Sequence, residues 1–191
     1  MSDLGDDELI RLHCDGDADA FDALFDRHYV SVYNFARLML HDAGAAEEVL
    51  QETFLAVAQA ARAYQPRGHF RTWLLRIVRN RCLNRLAALR AQHELLADSG
   101  LSVVEPASPE ASPSRRLEAD ETAAAVRAMV EKLPDRQREA IVLYAFERMK
   151  YRQIAEALDV PIDTVKTLIH RARAALAAAL EDRFKGEARD V

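Results

Sequence analysis

The chain has 191 residues, half of them hydrophobic, and 26 Lys and Arg stand against 31 Asp and Glu for a formal net charge of −5. That length suits one medium domain or two small ones. It contains no apolar run of about eighteen residues to cross a membrane, its opening MSDLGDDELIRL has no apolar signal segment, and its two cysteines, Cys14 and Cys82, lie far apart without a CxxC pair, which argues against a disulfide framework and against zinc. A reducing cytoplasm is the expected setting.

Glycine and proline are few, six of each, and alanine is abundant, so helix is favoured throughout. Asp6 is expected to cap a first short helix through Leu12. His13 beside Cys14 is read as an incidental pair at that helix's end, and no metal is expected. Asp17 is expected to cap a second helix, in which Phe21, Leu24, Phe25, Val32, Phe35 and Leu38 recur at helical spacing. Asp42 caps a third through about Arg62, with Val49, Leu50, Phe54 and Val57 on one face. Pro66 and Gly68 in YQPRGHF then break the pattern. A fourth helix is expected from about Phe70 to Leu96.

The charge is partitioned along these elements. Residues 1–60 hold thirteen acids and three bases, whereas residues 61–93 hold eight arginines and no acid. On a 3.6-residue wheel, Phe70, Trp73, Leu74, Ile77 and Val78 of the fourth helix form a packing face. Trp73, Arg76, Asn80 and Asn84 lie along one edge. Carboxamides present a donor and an acceptor to a base edge, arginines hold phosphates, and aromatics stack on unpaired bases. An Arg-rich amphipathic helix by itself also suits lipid headgroups, acidic partners or plain solvation.

Ala97 to Ser114, ADSGLSVVEPASPEASPS, has three prolines, five serines and no periodicity. It is expected to be a flexible linker, with ends roughly 23 Å apart on average. The chain is therefore expected to be all-α, with two small helical domains (1–96 and 116–191) joined by a linker (97–115). In the second domain, RRLEADETAAAVRAMVEKL is an amphipathic helix stopped at Leu133-Pro134. DRQREAIVLYAFE is another, with Asp135 as its cap.

YRQIAEALDVPIDTVKTLIHRARAAL has the spacing of a helix-turn-helix. Ile154, Leu158, Val160, Val165 and Leu168 stand where the two helices must meet, and Ala155 is small at the crossing. Asp159 occupies the turn, where glycine is commonest but Asp tolerates left-handed angles. Asp163 is expected to cap the second helix. On that helix Val165, Ile169, Ala172 and Leu176 share one face, while Lys166, Thr167, His170, Arg171 and Ala174 share the other. From Thr164 to Leu180 there is no acid. Cations and small hydroxyls on the first turns suit the major groove.

The segment AAEEVLQETFLAVAQAARAYQPRGHFRTWLLRIVRNRCLNRL resembles the promoter −10-binding domain of bacterial sigma factors of the extracytoplasmic-function (ECF) group. LPDRQREAIVLYAFERMKYRQIAEALDVPIDTVKTLIHRARAAL resembles their −35-binding domain. The two motifs stand in the family's order and together cover most of residues 20–180. The resemblance implies a sigma factor that binds core RNA polymerase and directs initiation at promoters, with an anti-sigma factor as a further partner. It implies no cofactor and no small-molecule substrate. It assigns Glu47, Glu48, Gln51 and Glu52 to the polymerase. It assigns Tyr64, Arg67, His69, Arg71, Trp73, Arg76, Arg79, Asn80 and Asn84 to the melted −10 strand, and Arg152, Thr164, Lys166, Thr167, His170, Arg171 and Arg173 to −35 duplex. The chain departs from the family's wording at Ala58 for a frequent Trp, Arg148 for a frequent glycine, and Asp163 and Leu168 within the usual GTVKSR. A stand-alone helix-turn-helix regulator would need neither the basic single-strand-type helix nor the tether. No nucleophile–base pair, phosphate-binding glycine loop or HExxH is present to suggest an enzyme.

Overall fold

The computed structural model describes residues 3–65, 69–98 and 117–187, and every described element is helical or a turn. The chain divides into two compact units, Met1–Pro113 and Ser114–Val191. Most of the expected linker, like Arg67, lies outside the described residues.

The first unit holds α1 (Asp6–Cys14), α2 (Ala18–Leu40), α3 (Ala43–Ala60) and α4 (Phe70–Asp98), with a short 3₁₀ turn, Ala61–Ala63, after α3. Asp17 and Asp42 cap α2 and α3 as expected, accepting from the backbone N–H of Ala20 at 3.2 Å and of Ala45 at 2.6 Å. Asp6 does not cap α1. Gly5 occupies the cap position, and the Asp6 carboxylate instead reaches Arg27 at 2.6 Å and His28 at 2.9 Å on α2. A carboxylate in the first turn is favoured by the helix dipole wherever its other contacts point. Leu24, Val32, Phe35 and Met39 of α2 pack with Leu9 and Ile10 of α1, Val49, Phe54 and Val57 of α3, and Phe70, Leu74, Leu75, Val78 and Cys82 of α4, all buried. Truncating any of the larger ones to alanine removes about 2–5 kcal/mol.

The second unit holds α5 (Leu117–Glu131), α6 (Asp135–Ile141), α7 (Tyr151–Leu158) and α8 (Ile162–Glu187). Pro134, not Asp135, takes the cap position of α6. Asp135 lies inside the first turn and accepts from Arg138 at 3.2 Å. After Ile141 the backbone loosens into one π-helical stretch, Val142–Phe146, where Glu147 N–H reaches Val142 O at 3.1 Å. This widening turns Phe146 outward, 46% exposed, while Val142 and Leu143 stay in the core. Arg148 then adopts φ +51°, a left-handed conformation. That geometry explains why a glycine is frequent at this position in the resembling family. Gln153 reaches back to accept from Lys150 N–H at 2.9 Å and starts α7.

Candidate polymerase and nucleic-acid interfaces

α3 turns Ala46, Val49, Thr53, Phe54 and Val57 inward, which leaves Glu47, Glu48, Gln51 and Glu52 exposed on its other side. Two of these acids have partners that the sequence did not reveal. Glu48 accepts from Arg85 of α4 at 2.6 Å, and Glu52 accepts from Arg81 at 3.3 Å. The match is one of spacing, since both pairs sit four residues apart and so one turn apart on adjacent helices. Both pairs are well exposed, with Glu48 59% and Arg85 43% open to solvent. Such pairs contribute under about 1 kcal/mol and exchange readily for another partner. Beside Glu47 and Gln51 lies a groove of about 370 Å³ floored by Tyr29, Val30, Tyr33 and Leu50.

On α4 the expected edge is largely open. Arg71, Arg76, Asn80 and Asn84 are exposed, and Trp73 is half-buried. Its ring lies 4.8 Å from that of Tyr64 and 5.7 Å from that of Phe70. His69 is exposed just before the helix. Arg79 differs from its neighbours: it is 7% exposed, and its guanidinium donates to Asn80 Oδ1 at 3.4 Å. It therefore orients a neighbouring carboxamide rather than standing free in solvent. Asn84 borders the small hollow formed with Glu48, Glu52, Arg81 and Arg85, so the edge expected on DNA runs into the face expected on polymerase. Tyr64 has its own unforeseen partner, with its hydroxyl donating to Asp7 Oδ1 at 2.7 Å.

In the second unit, α7 and α8 meet through Ile154, Ala157, Leu158, Val165, Ile169 and Ala172, all buried. Asp159 forms the turn with φ +54° and ψ +52°, the left-handed geometry the sequence suggests. Val160 and Leu168 are half-buried at the edge of this contact. The opposite face of α8 exposes Thr164, Lys166, Thr167, His170, Arg171 and Arg173, and Arg152 is exposed on α7. Asp163 sits inside the first turn rather than at the cap, and its carboxylate accepts from Lys166 Nζ at 2.8 Å. That hydrogen bond and the adjacent charge raise the Lys166 amine above its ordinary range, so it stays protonated. The Thr167 hydroxyl donates to Asp163 O at 2.9 Å. The Arg173 guanidinium lies 4.7 Å above the Tyr144 ring, a cation–π contact that ties it to the π-helical stretch.

Among the described residues no group of three or more His, Cys, Asp or Glu could hold a metal ion, and no helix is long and apolar enough to cross a membrane.

A helix-turn-helix with a cationic outer face in one unit, and an arginine-rich helix edged by carboxamides and aromatics in the other, have the chemistry expected of a helical nucleic-acid-binding protein. Likeness to known proteins gives the family. The sigma-70 region 2 family matches residues 24–92, and the sigma-70 region 4 family matches residues 123–176. The chain is 31% identical over 187 residues to the RNA polymerase sigma-H factor of Pseudomonas aeruginosa, covering 92% of this chain and 94% of that protein. It is 34% identical over 175 residues to the ECF RNA polymerase sigma factor SigM of Mycobacterium tuberculosis, covering 92% and 84%. Among solved structures, CnrH in complex with the cytosolic domain of CnrY is similar with a TM-score of 0.68 and 28% identity, covering 93% of this chain and 97% of that one. The chain belongs to the ECF group of sigma-70-family RNA polymerase sigma factors.

Proposed function

We propose that this protein is a dissociable, non-catalytic subunit of bacterial RNA polymerase that works in the cytoplasm. It docks on core enzyme through the exposed side of α3 (Glu47, Glu48, Gln51 and Glu52). The exposed edge of α4, with Tyr64, Arg67, His69 and Trp73 ahead of it and along it, meets the melted −10 strand. The outer face of α8, with Arg152 of α7, meets −35 duplex. An anti-sigma factor holds the protein inactive by covering its polymerase-binding surfaces. The observation that carries this reading is that an acidic chain has two acid-free cationic stretches, 61–93 with eight arginines and 164–180 with Lys166, Arg171 and Arg173, the first with single-strand chemistry and the second with major-groove chemistry. An operator-binding regulator needs only the second.

The two surfaces should fail differently, and that tests the division of labour. Holoenzyme carrying Arg171→Ala is expected to lose closed-complex affinity by about five- to a hundredfold, the worth of one direct base contact. It should recover on a template already melted around −10. Asn80→Ala with Asn84→Ala is expected to bind closed promoter nearly normally, open it poorly, and lose its preference among −10 bases even on melted template. Permanganate reactivity and binding on paired and pre-melted templates separate the two. The same defect for both variants on both templates would refute the assignment.

A further inference from the structure

α1 is fastened into the first unit on one side and reaches toward the DNA edge on the other. Leu9 and Ile10 are buried, and Asp6 holds Arg27 and His28 of α2. The next residue, Asp7, accepts the 2.7 Å hydrogen bond from the hydroxyl of Tyr64, 57 positions away in sequence. Tyr64 opens the segment that leads into α4. Its ring lies 4.8 Å from Trp73 and stands edge-on to Phe70 at 5.7 Å. Phe70 in turn lies 5.5 Å from the His28 ring, so the cluster is anchored at its base.

Packing does not confine the Tyr64 ring on every side. A hollow of about 340 Å³ opens between α1 and the 3₁₀ turn, bounded by Asp7, Ile10, Cys14, Ala61, Arg62 and Tyr64 itself. A ring released from Asp7 has room to turn into it. The bond to a carboxylate is of the stronger, charge-assisted kind. It therefore selects one ring position from those the packing allows.

We propose that Asp7 is a positioning residue for recognition of the unpaired −10 strand. It sets the Tyr64 ring and, through the contact with Trp73, the approach to the exposed edge of α4. This rests on the assignment of that edge to the −10 strand, and the test separates the two. Full-length protein is assembled with core polymerase and bound to pre-melted promoter fragments carrying each base at each −10 position. Tyr64→Phe keeps the ring and removes only the hydroxyl. Asp7→Ala removes the acceptor, and Asp7→Asn retains an acceptor oxygen. Asn80→Ala with Asn84→Ala serves as the reference.

Tyr64→Phe and Asp7→Ala are each expected to compress the ratio of preferred to disfavoured base by about fivefold, the worth of one such hydrogen bond. Their combination should do no more than either alone. Asp7→Asn should keep most of the preference, and Tyr64→Phe should leave core affinity close to the parent's and lower melting temperature by no more than the several degrees that one lost hydrogen bond costs. If both single variants lower melting temperature or core affinity while the base ratio holds, Asp7 serves the fold alone and the proposal is overturned. Additive effects in the double variant would overturn it as well. If even the Asn80/Asn84 reference leaves the ratio intact, the −10 assignment fails and the proposal falls with it.

Discussion

Asp163→Asn should make this protein bind −35 duplex more tightly. Asp163 is 83% exposed and Lys166 55% exposed, and their side chains meet at 2.8 Å on the first turn of α8, the helix proposed to enter the groove. Such an open pair is weak and salt-screened, so Lys166 can leave it for a phosphate. The carboxylate remains behind at a place where DNA brings negative charge, and it opposes the contact. Replacing it by the neutral amide removes that repulsion and lets Lys166, otherwise shared with Asp163, neutralise a phosphate in full. One additional neutralised phosphate steepens the dependence of log affinity on log salt by ~0.9. Between 50 and 200 mM salt that is about a 3.5-fold larger loss of affinity. The variant's advantage should therefore be several-fold at low salt and shrink as salt rises. Fluorescence anisotropy of labelled −35 duplex with holoenzyme, titrated across that range, measures both quantities. Tighter binding with an unchanged slope would mean that Lys166 does not gain a phosphate. Weaker binding would mean that Asp163 itself contacts a base, as carboxylates do with cytosine, and the reasoning would be refuted.

Arg148→Gly should stabilise the protein, because φ +51° strains any residue with a Cβ. Relief of about 1–2 kcal/mol, less the extra freedom of unfolded glycine, leaves about 0.5–1 kcal/mol, read as a rise of a few degrees in the melting of the second unit; an unchanged or lower midpoint would count against it. Burial alone would raise the Asp6 carboxyl, but the hydrogen bonds and charges of His28 and Arg27 more than offset it and hold it below 3.8. A depressed carboxyl stabilises the fold above its unfolded value and loses that contribution as pH falls through the folded one. Asp6→Asn should therefore cost about 1 kcal/mol near pH 6, and the gap to the parent should close below about pH 3.8 in denaturant titrations; a gap independent of pH would exclude this role. Glu48→Ala with Gln51→Ala should weaken core polymerase binding in a pull-down or anisotropy assay while changing stability by under about 1 kcal/mol, since the Glu48–Arg85 pair is exposed; unchanged affinity would move the docking face elsewhere.

Much of the architecture was legible because helices of this length advertise their periodicity. Val165, Ile169 and Ala172 lie on the buried face of α8 and Lys166, His170 and Arg171 on its open face, as the wheel requires. Asp17, Asp42 and Asp159 took the caps and the turn their chemistry suits. Asp6, Asp135 and Asp163 did not cap, because a carboxylate one or two residues inside a helix satisfies the dipole equally well and leaves its oxygens for side-chain partners. No local pattern distinguishes the two cases. The ion pairs of Arg81 and Arg85 with α3 depend on the register of two packed helices, and the Asp7–Tyr64 bond depends on where a chain reversal brings α1. Both are tertiary facts. The burial of Arg79 has the same origin: a wheel centred on Phe70, Trp73, Leu74, Ile77 and Val78 puts it on the far side, but the seating of α4 in the bundle buries Leu75, Val78, Arg79 and Cys82 and leaves Trp73 and Ile77 half-buried. The π-helical stretch at Val142–Phe146 carries no sequence signature, since its hydrogen bonds differ from those of an α-helix only in where the carbonyls are shared.

The central claim is that this chain gives promoter specificity to core polymerase and has little of its own. The most direct measurement combines purified protein and core RNA polymerase, each alone and together, on a library of bacterial promoter fragments. Permanganate reactivity then reports melting, and run-off transcripts report initiation. The protein alone is expected to bind DNA weakly and nonspecifically, core alone to give no specific opening, and the two together to melt DNA near −10 and transcribe from a discrete promoter set. Tight footprints on palindromic sites by the protein alone, unchanged by core polymerase, would contradict the claim.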